Sequence, residues 1–136
     1  MASSSTQSAA WRPEALDGLR RRRTALLTTY RRDSTPVSTP VMIAAVGERL
    51  VFFTFHSAAK VNRLRRDPRV LAAPSTFSGA PRGEAVSGRA RPLTGRDSGV
   101  ARRVLAHRSP VLVGLFVPLV FRLARLRPLY YAVDPA

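Results

Sequence analysis

Residues 54–70 read TFHSAAKVNRLRRDPRV and decide how the chain is organised. They follow the β-prone run LVFFTF at residues 50–55, and the spacing of apolar residues then changes from strand-like to helical. Ser57 is predicted to cap the helix, and Pro68 to end it. One apolar stripe has helical spacing: Ala58, Val61 and Leu64. The segment is therefore predicted to be a strand that leads directly into a short basic helix.

Lys60, in the first turn of that helix, is the only lysine of a chain that has 22 arginines. A helix N-terminus after a strand favours a phosphate, because its free backbone N–H groups and dipole attract an anion. A compact ammonium would add a point charge at the same place. Lys60 is therefore a candidate phosphate ligand, and the alternative is an ordinary surface lysine.

Length and composition predict one domain of modest size. The chain has 136 residues and 45% hydrophobic residues, enough for a real core. We expect a disordered tail at residues 1–12, which lacks the features of a signal peptide, and a single domain at residues 13–136. The absence of cysteine excludes disulfides and thiolate metal sites. With eight dispersed carboxylates and two histidines, neither a metal site nor a catalytic residue is predicted.

The net charge of +15 implies an anionic partner. A nucleic acid is not expected, because the arginines are scattered and few aromatic residues accompany them. A phosphorylated small molecule and a membrane surface remain open. The longest apolar run, residues 110–121, is too short to span a bilayer, so no transmembrane segment and a cytoplasmic location are expected.

The order of predicted elements is mainly β, in an α+β arrangement with short flanking helices. Strands are predicted at residues 24–30, 37–45, 49–55, 70–76, 84–93 and 128–133, and helices at residues 13–22, 57–67, 94–107 and 111–127. In the second strand, Val37, Thr39, Val41 and Ile43 are predicted to share one face. Pro40 interrupts this strand and predicts an edge, a bulge or the approach of something other than a strand.

Four stretches in this order resemble the pyridoxamine 5'-phosphate oxidase-like split β-barrel family. They read LTTYRRDSTPVSTPV at residues 27–41, the strand–helix segment at 54–70, APST at 73–76 and RPLYY at 127–131. The likeness is greatest to the actinobacterial branch that uses the deazaflavin coenzyme F420. The resemblance implies an FMN-binding split-barrel-like fold of about six antiparallel strands. The chain departs from flavin-binding relatives at Ala58 and Ala59, where a second basic residue is common, and at Met42, where an aromatic residue is common.

The resemblance also implies a homodimer with the coenzyme at the subunit seam. The ring would lie against one strand, at Ser38, Thr39, Pro40, Val41 and Met42. The phosphate would be held by Lys60 with hydroxyls from Thr54 and Ser57, and with Ser75 and Thr76 near the seam. Arg31, Arg63 or Arg66 could receive the polyanionic tail of F420. The implied activity is hydride transfer to an activated double bond of a quinone, an enone or a tetrapyrrole.

Two alternatives stay open. One is an FMN-dependent oxidoreductase of the same fold. The other is a non-enzymatic basic protein that binds nucleic acid or a membrane surface, with the apolar residues 111–121 and the following arginines lying on the membrane. The competing interpretation of that helix is packing in the core or at a dimer seam.

Overall fold

A computed structural model describes residues 11–110 and 112–136. Six strands form one closed antiparallel barrel in the order β1-β2-β3-β6-β5-β4. The strands are β1 (Thr24–Tyr30), β2 (Pro36–Val46), β3 (Arg49–Phe55), β4 (Arg69–Pro74), β5 (Val86–Pro92) and β6 (Pro128–Pro135). The helices are α1 (Pro13–Arg21), α2 (Ala59–Arg66), α3 (Gly95–Arg108) and α4 (Val117–Leu123), and a π-helical turn, Leu112–Phe116, precedes α4. The predicted fold class is confirmed.

Strand alternation divides the apolar residues between the barrel interior and its outer surface. Inside, the rings of Phe52 and Tyr131 stack at 5.2 Å, and both residues are buried. Outside, Ala44 and Val51 pack beneath Leu105 of α3 in a second apolar cluster. The helix α3 therefore covers one outer face of the barrel, which leaves the outer faces of β1 and of the first half of β2 for other contacts.

The barrel opens between β2 and β3. Residues 36–42 of β2 pair with β1, whereas only residues 43–46 pair with β3. The last residues of β3 pair with β6 instead, through Thr54↔Leu129 and Phe55↔Pro128. Within the described residues, the first half of β2 thus keeps one backbone edge free of strand partners. The chain leaves β3 at this opening and enters α2.

The helix α2 forms where the sequence predicts it, and Val61 and Leu64 are buried. The predicted cap is wrong. Ala58 is the N-cap residue and no side chain caps the helix, because the N–H of Ala58 donates to the carbonyl of Phe55 and this turn leaves Ser57 exposed. At the other end, the N–H of Asp67 donates to the carbonyl of Arg63, immediately before Pro68.

A helix forms within the predicted range 111–127, but it is shorter and less regular than predicted. The π-helical turn runs directly into α4, and α4 ends at Leu123. Pro118 has no N–H to continue the hydrogen-bond pattern from the preceding turn, and Arg125 has a left-handed φ of 58° that stops the helix. Among the described residues, no helix combines the length and the apolar character needed to cross a membrane.

Trp11 and Arg12, the last two residues of the predicted tail, contact the barrel. The indole Nε1 of Trp11 donates to the carbonyl of Ser87 at 2.7 Å, and Arg12 forms an ion pair with Glu84. The rest of the predicted tail, residues 1–10, lies outside the described residues.

Candidate functional site

The first turn of α2 lies at the opening of the barrel. Among the described residues, the backbone N–H groups of Ala59 and Lys60 have no acceptor, and no acidic residue lies in this turn. Lys60 is half-buried, and burial lowers the pKa of its ammonium, with the charge of Arg63 lowering it further. A partly desolvated cation beside free N–H groups is an arrangement that an anion would stabilise.

Arg63 extends this positive region toward β1. Its Nε donates to Oγ1 of Thr29 at 2.7 Å, and Thr29 is buried. Burial lowers the pKa of Arg63, and the nearby charges of Arg31 and Arg66 lower it further. The ion pairs found among the described residues include none of these four cations. Lys60, Arg63, Arg31 and Arg66 therefore form a cationic cluster without an ion pair among the described residues, and Asp33, whose pKa the charge of Arg31 helps to lower, is the carboxylate that acts on it.

The strand predicted to carry a coenzyme ring is the first half of β2. The exposure alternates as predicted: Val37 and Thr39 are half-buried and Val41 is buried, whereas Ser38 and Pro40 are exposed. Thr39 and Val41 therefore face inward and could offer a ligand only backbone groups.

The outward face of this strand carries a pair of hydroxyls. Oγ of Ser38 and Oγ1 of Thr28 on β1 lie 2.8 Å apart. Met42, on the same outward face, packs against the apolar cluster beneath α3. A flat ring against this strand would meet Ser38 and Pro40 on its face and the free backbone edge beside them.

Thr54 lies near the end of β3, and Ser57 lies on the connection that leads from β3 to Lys60. Thr54 is 5% exposed and Ser57 is exposed. Because Ser57 does not cap α2, its hydroxyl has no role in holding the helix. His56 is fixed between them, since its Nδ1 accepts a hydrogen bond from the N–H of Arg127 at 3.0 Å.

Ser75 and Thr76 are not brought to Lys60 within one chain. The carbonyl of Ser75 accepts a hydrogen bond from Oγ1 of Thr24, at the start of β1, whereas Arg63 contacts Thr29 near its end. Five residues of strand separate these two points by roughly 17 Å. Thr76 folds back on its own loop, with its Oγ1 3.0 Å from Oγ of Ser78.

Two features of this region were not predicted from the sequence. The Arg63–Thr29 contact joins residues 34 positions apart and has no local signal. A separate cleft of about 460 Å³ lies between α3, α4 and the outer faces of β3 and β6, and none of the predicted site residues lines it. Part of the apolar run noted at 111–121 lines this cleft, through Val113, Val117 and Phe121.

Comparison with solved structures finds the same fold at low sequence identity. A candidate pyridoxamine 5'-phosphate oxidase from Listeria innocua has a TM-score of 0.62 at 15% identity, with 90% of each chain covered. A FAD-binding protein from Mesorhizobium loti has a TM-score of 0.59 at 16% identity, over 99% of this chain and 87% of that chain. HutZ, the heme storage protein from Vibrio cholerae, has a TM-score of 0.67 at 14% identity, over 93% of this chain and 91% of that chain.

No protein-family model matches the sequence, and neither does any curated protein. At identities below 20% the structural likeness shows the fold alone. The chain has the split-barrel fold of pyridoxamine 5'-phosphate oxidase-like proteins, as predicted, and proteins with this fold include binders of different cofactors.

Proposed function

We propose that this protein is an oxidoreductase that binds coenzyme F420 and transfers a hydride to an activated double bond of a small quinone, enone or tetrapyrrole. The observation that carries the proposal is the cationic cluster of Lys60, Arg63, Arg31 and Arg66 beside the free edge of β2. Such a cluster suits a ligand that combines a phosphate, several carboxylates and a flat ring.

The donor set fits the parts of this coenzyme. Lys60 and the free N–H groups at the start of α2 would hold the phosphate, because an ammonium and a helix N-terminus both favour a compact anion. Arg63, Arg66 and Arg31 would hold the glutamate tail, since planar guanidinium groups pair well with carboxylates. Ser38 and the backbone of Thr39 and Val41 would position the ring, and the hydroxyls of Thr54 and Ser57 would supplement the phosphate site.

The protein's share of the chemistry is binding and orientation. When bound and reduced, a deazaflavin supplies a hydride, and water supplies the proton that completes reduction of the double bond. The chain's residues would fix the ring against β2 and neutralise the tail, which places ring and substrate together without a proton-transferring side chain. This agrees with the absence of paired carboxylates in the sequence.

FMN is the alternative coenzyme, and the binding of FAD by the protein from Mesorhizobium loti favours a flavin. FMN has one phosphate and no carboxylate tail, so it would need Lys60 but not the outer arginines. Replacement of Arg66 by Gln should therefore weaken F420 binding several-fold and leave FMN binding unchanged. The non-enzymatic alternative, a basic nucleic-acid binder, would instead show DNA binding that falls steeply with salt.

A panel of candidate ligands tests the proposal. Purified protein would be heated with F420, FMN, FAD, hemin or duplex DNA at two salt concentrations. We expect F420 to raise the Tm most, because it combines a phosphate for Lys60 with a carboxylate tail for the arginines. A ligand at a hundred times its Kd stabilises a protein by about 2.7 kcal/mol. Larger stabilisation by FMN would assign the flavin alternative. Stabilisation by hemin or DNA alone would contradict the proposal.

The proposed site is open to one side, and we propose that a second copy closes it across the outer faces of β1 and β2. Phe77 is 64% exposed on the loop after β4. A side chain at Gly79 in this loop would contact Leu26 and Pro40, so the loop lies over the outward side of β1 and β2. A dimer here would cover Phe77 and bring Ser75 and Thr76 to the partner's site.

The variant Phe77→Asp is therefore expected to be monomeric at micromolar concentration and to bind coenzyme at least tenfold more weakly. Loss of a central aromatic contact costs a protein interface about 2 kcal/mol or more, and a buried carboxylate adds to this cost. Light scattering and calorimetry would measure both effects. Phe116→Asp is the matched control, since Phe116 is also exposed but lies in the π-helical turn before α4, away from the loop that carries Phe77. If Phe77→Asp forms dimers as readily as wild type and Phe116→Asp do, the proposed seam is contradicted.

A further inference from the structure

The segment from the π-helical turn to the end of α4 carries an exposed apolar ridge. Of the six large hydrophobic side chains that are exposed in the described residues, five lie here: Leu115, Phe116, Leu119, Val120 and Leu123. Leu115 is 68% exposed and Leu123 is 77% exposed. A contiguous patch of this kind on a soluble domain marks an interaction site.

The barrel does not need this ridge for its own packing. Residues at a spacing of four point inward instead: Val113, Val117 and Phe121, which line the cleft beneath the segment. The ring of Phe121 packs edge-on against Phe53 and Phe55 at 6.1 and 6.3 Å between centroids. The inward stripe thus anchors the segment to β3, and the outward stripe is left as surface.

The charge around the ridge has one sign. Between Asp97 and Asp134 the sequence contains no carboxylate and six arginines, three of which lie at the end of the ridge: Arg122 just before Leu123, and Arg125 and Arg127 just after it. The ion pairs among the described residues include none of these three. Arg122, with Arg102 and Arg103 of α3, also lines the cleft. Apolar side chains are therefore bordered by uncompensated positive charge.

This combination distinguishes between the surfaces that could cover the ridge. A second copy of the chain would place the same arginines against each other across a two-fold axis, with no carboxylate nearby to neutralise them. A nucleic acid would neutralise the arginines but would leave the leucines unburied. An anionic bilayer meets both requirements, because its acyl region takes up apolar side chains and its headgroups attract arginine.

We propose that the π-helical turn and α4 form a docking surface for anionic membranes. Leu115, Phe116, Leu119 and Leu123 would enter the boundary between headgroups and acyl chains, and Arg122, Arg125 and Arg127 would contact the headgroups. The segment is far too short to cross the bilayer, so the protein would lie on the membrane reversibly. This inference does not rest on the identity of the coenzyme.

Sedimentation of the full chain with phospholipid vesicles tests the proposal. One set of vesicles would be pure phosphatidylcholine, and the other would contain 30% phosphatidylglycerol. We expect binding to the anionic vesicles, weakened by salt. The double variant Leu119→Gln/Leu123→Gln, which keeps every charge, should lose at least tenfold in partitioning. Arg122→Gln and Arg125→Gln should each lose about fivefold, and only with anionic vesicles.

Matched controls separate the ridge from general basicity. Arg21→Gln and Arg96→Gln each remove an exposed arginine outside the ridge, so both should bind like wild type. The circular dichroism and Tm of all variants would be compared to establish equal folding. Unchanged vesicle binding by Leu119→Gln/Leu123→Gln would overturn the proposal, since charge alone would then suffice. Loss of dimers in that variant would overturn it too, because the ridge would then be a contact between copies.

Discussion

Replacement of Lys60 by Ala is expected to weaken coenzyme binding ten- to a hundredfold and to leave the fold intact. The ammonium would make a charge-assisted contact with the phosphate worth about 1.5–3 kcal/mol. Alanine is a good helix former and adds no strain at the first turn of α2. Calorimetric titration of F420 and FMN into both proteins would measure the loss.

Removal of the Lys60 charge should weaken coenzyme binding but should not lower the stability of the unliganded protein, provided that the apolar stem of the side chain is kept. Burial and Arg63 lower the pKa of Lys60 below its usual 10.5, so the charged form is disfavoured by folding. Lys60→Met keeps the apolar stem and removes the charge, so we expect its free energy of unfolding to equal or exceed that of wild type near neutral pH. The difference in the free energy of unfolding should shrink as the pH rises above the lowered pKa of folded Lys60. It should vanish above 10.5, because the side chain is then neutral in both the folded and the unfolded protein.

Lys60→Arg separates the shape of the site from its charge. A guanidinium is bulkier and planar, so we expect it to recover only part of the affinity lost in Lys60→Ala. If Lys60→Ala binds both coenzymes as tightly as wild type, Lys60 is not the phosphate ligand. If wild type itself binds neither coenzyme, the proposed function fails before the lysine is tested.

The sequence predicts the parts of the fold that depend on neighbouring residues. The alternation along β2 specifies its inward face, and the spacing of Val61 and Leu64 specifies the buried side of α2. At Gly47, whose φ is 62°, the turn between β2 and β3 needs the left-handed backbone that glycine adopts at low cost. Each of these signals lies within a few residues of the structure that it determines.

Features that depend on distant parts of the chain could not be read in this way. Ser57 satisfies the local pattern of a helix cap, but the tight turn between Phe55 and Ala58 moves it to solvent. Arg63 and Thr29 meet only because the closed barrel brings β1 beneath α2. The placement of Ser75 far from Lys60 follows from strand register, which composition and periodicity do not specify.

Local apolar patterning also cannot say which side of a helix the barrel will use. Residues 111–127 are apolar on most sides, so the sequence predicts a buried helix as readily as a surface one. Among the residues of this segment whose side chains the structure describes, the stripe that includes Val113 and Phe121 is the one that packs against the barrel. Which stripe is used depends on where β3 and β6 present Phe53 and Tyr130, and this is again a property of the closed barrel.

Gly88 in β5 is expected to tolerate no side chain, and Gly88→Ala should lower the free energy of unfolding by about 1–3 kcal/mol. A Cβ at this position would lie 2.6 Å from the backbone oxygen of Asp134 and 2.6 Å from Cγ1 of Val133. It would also lie 3.2 Å from the indole ring of Trp11. The oxygen belongs to the paired strand β6 and cannot move without loss of register, so β5 or Trp11 would have to shift.

Denaturation followed by the fluorescence of Trp11, the only tryptophan, would measure this loss directly at the affected site. We expect the Tm to fall by roughly 4–12 °C. Gly99→Ala is the matched control, because no atom lies within 4 Å of a Cβ built at Gly99 and the residue is inside α3. Alanine there should raise stability by up to about 1 kcal/mol through helix propensity. Equal stability of the two variants would mean that β5 and β6 can separate enough to admit a methyl group, and that Trp11 does not close the barrel at this point.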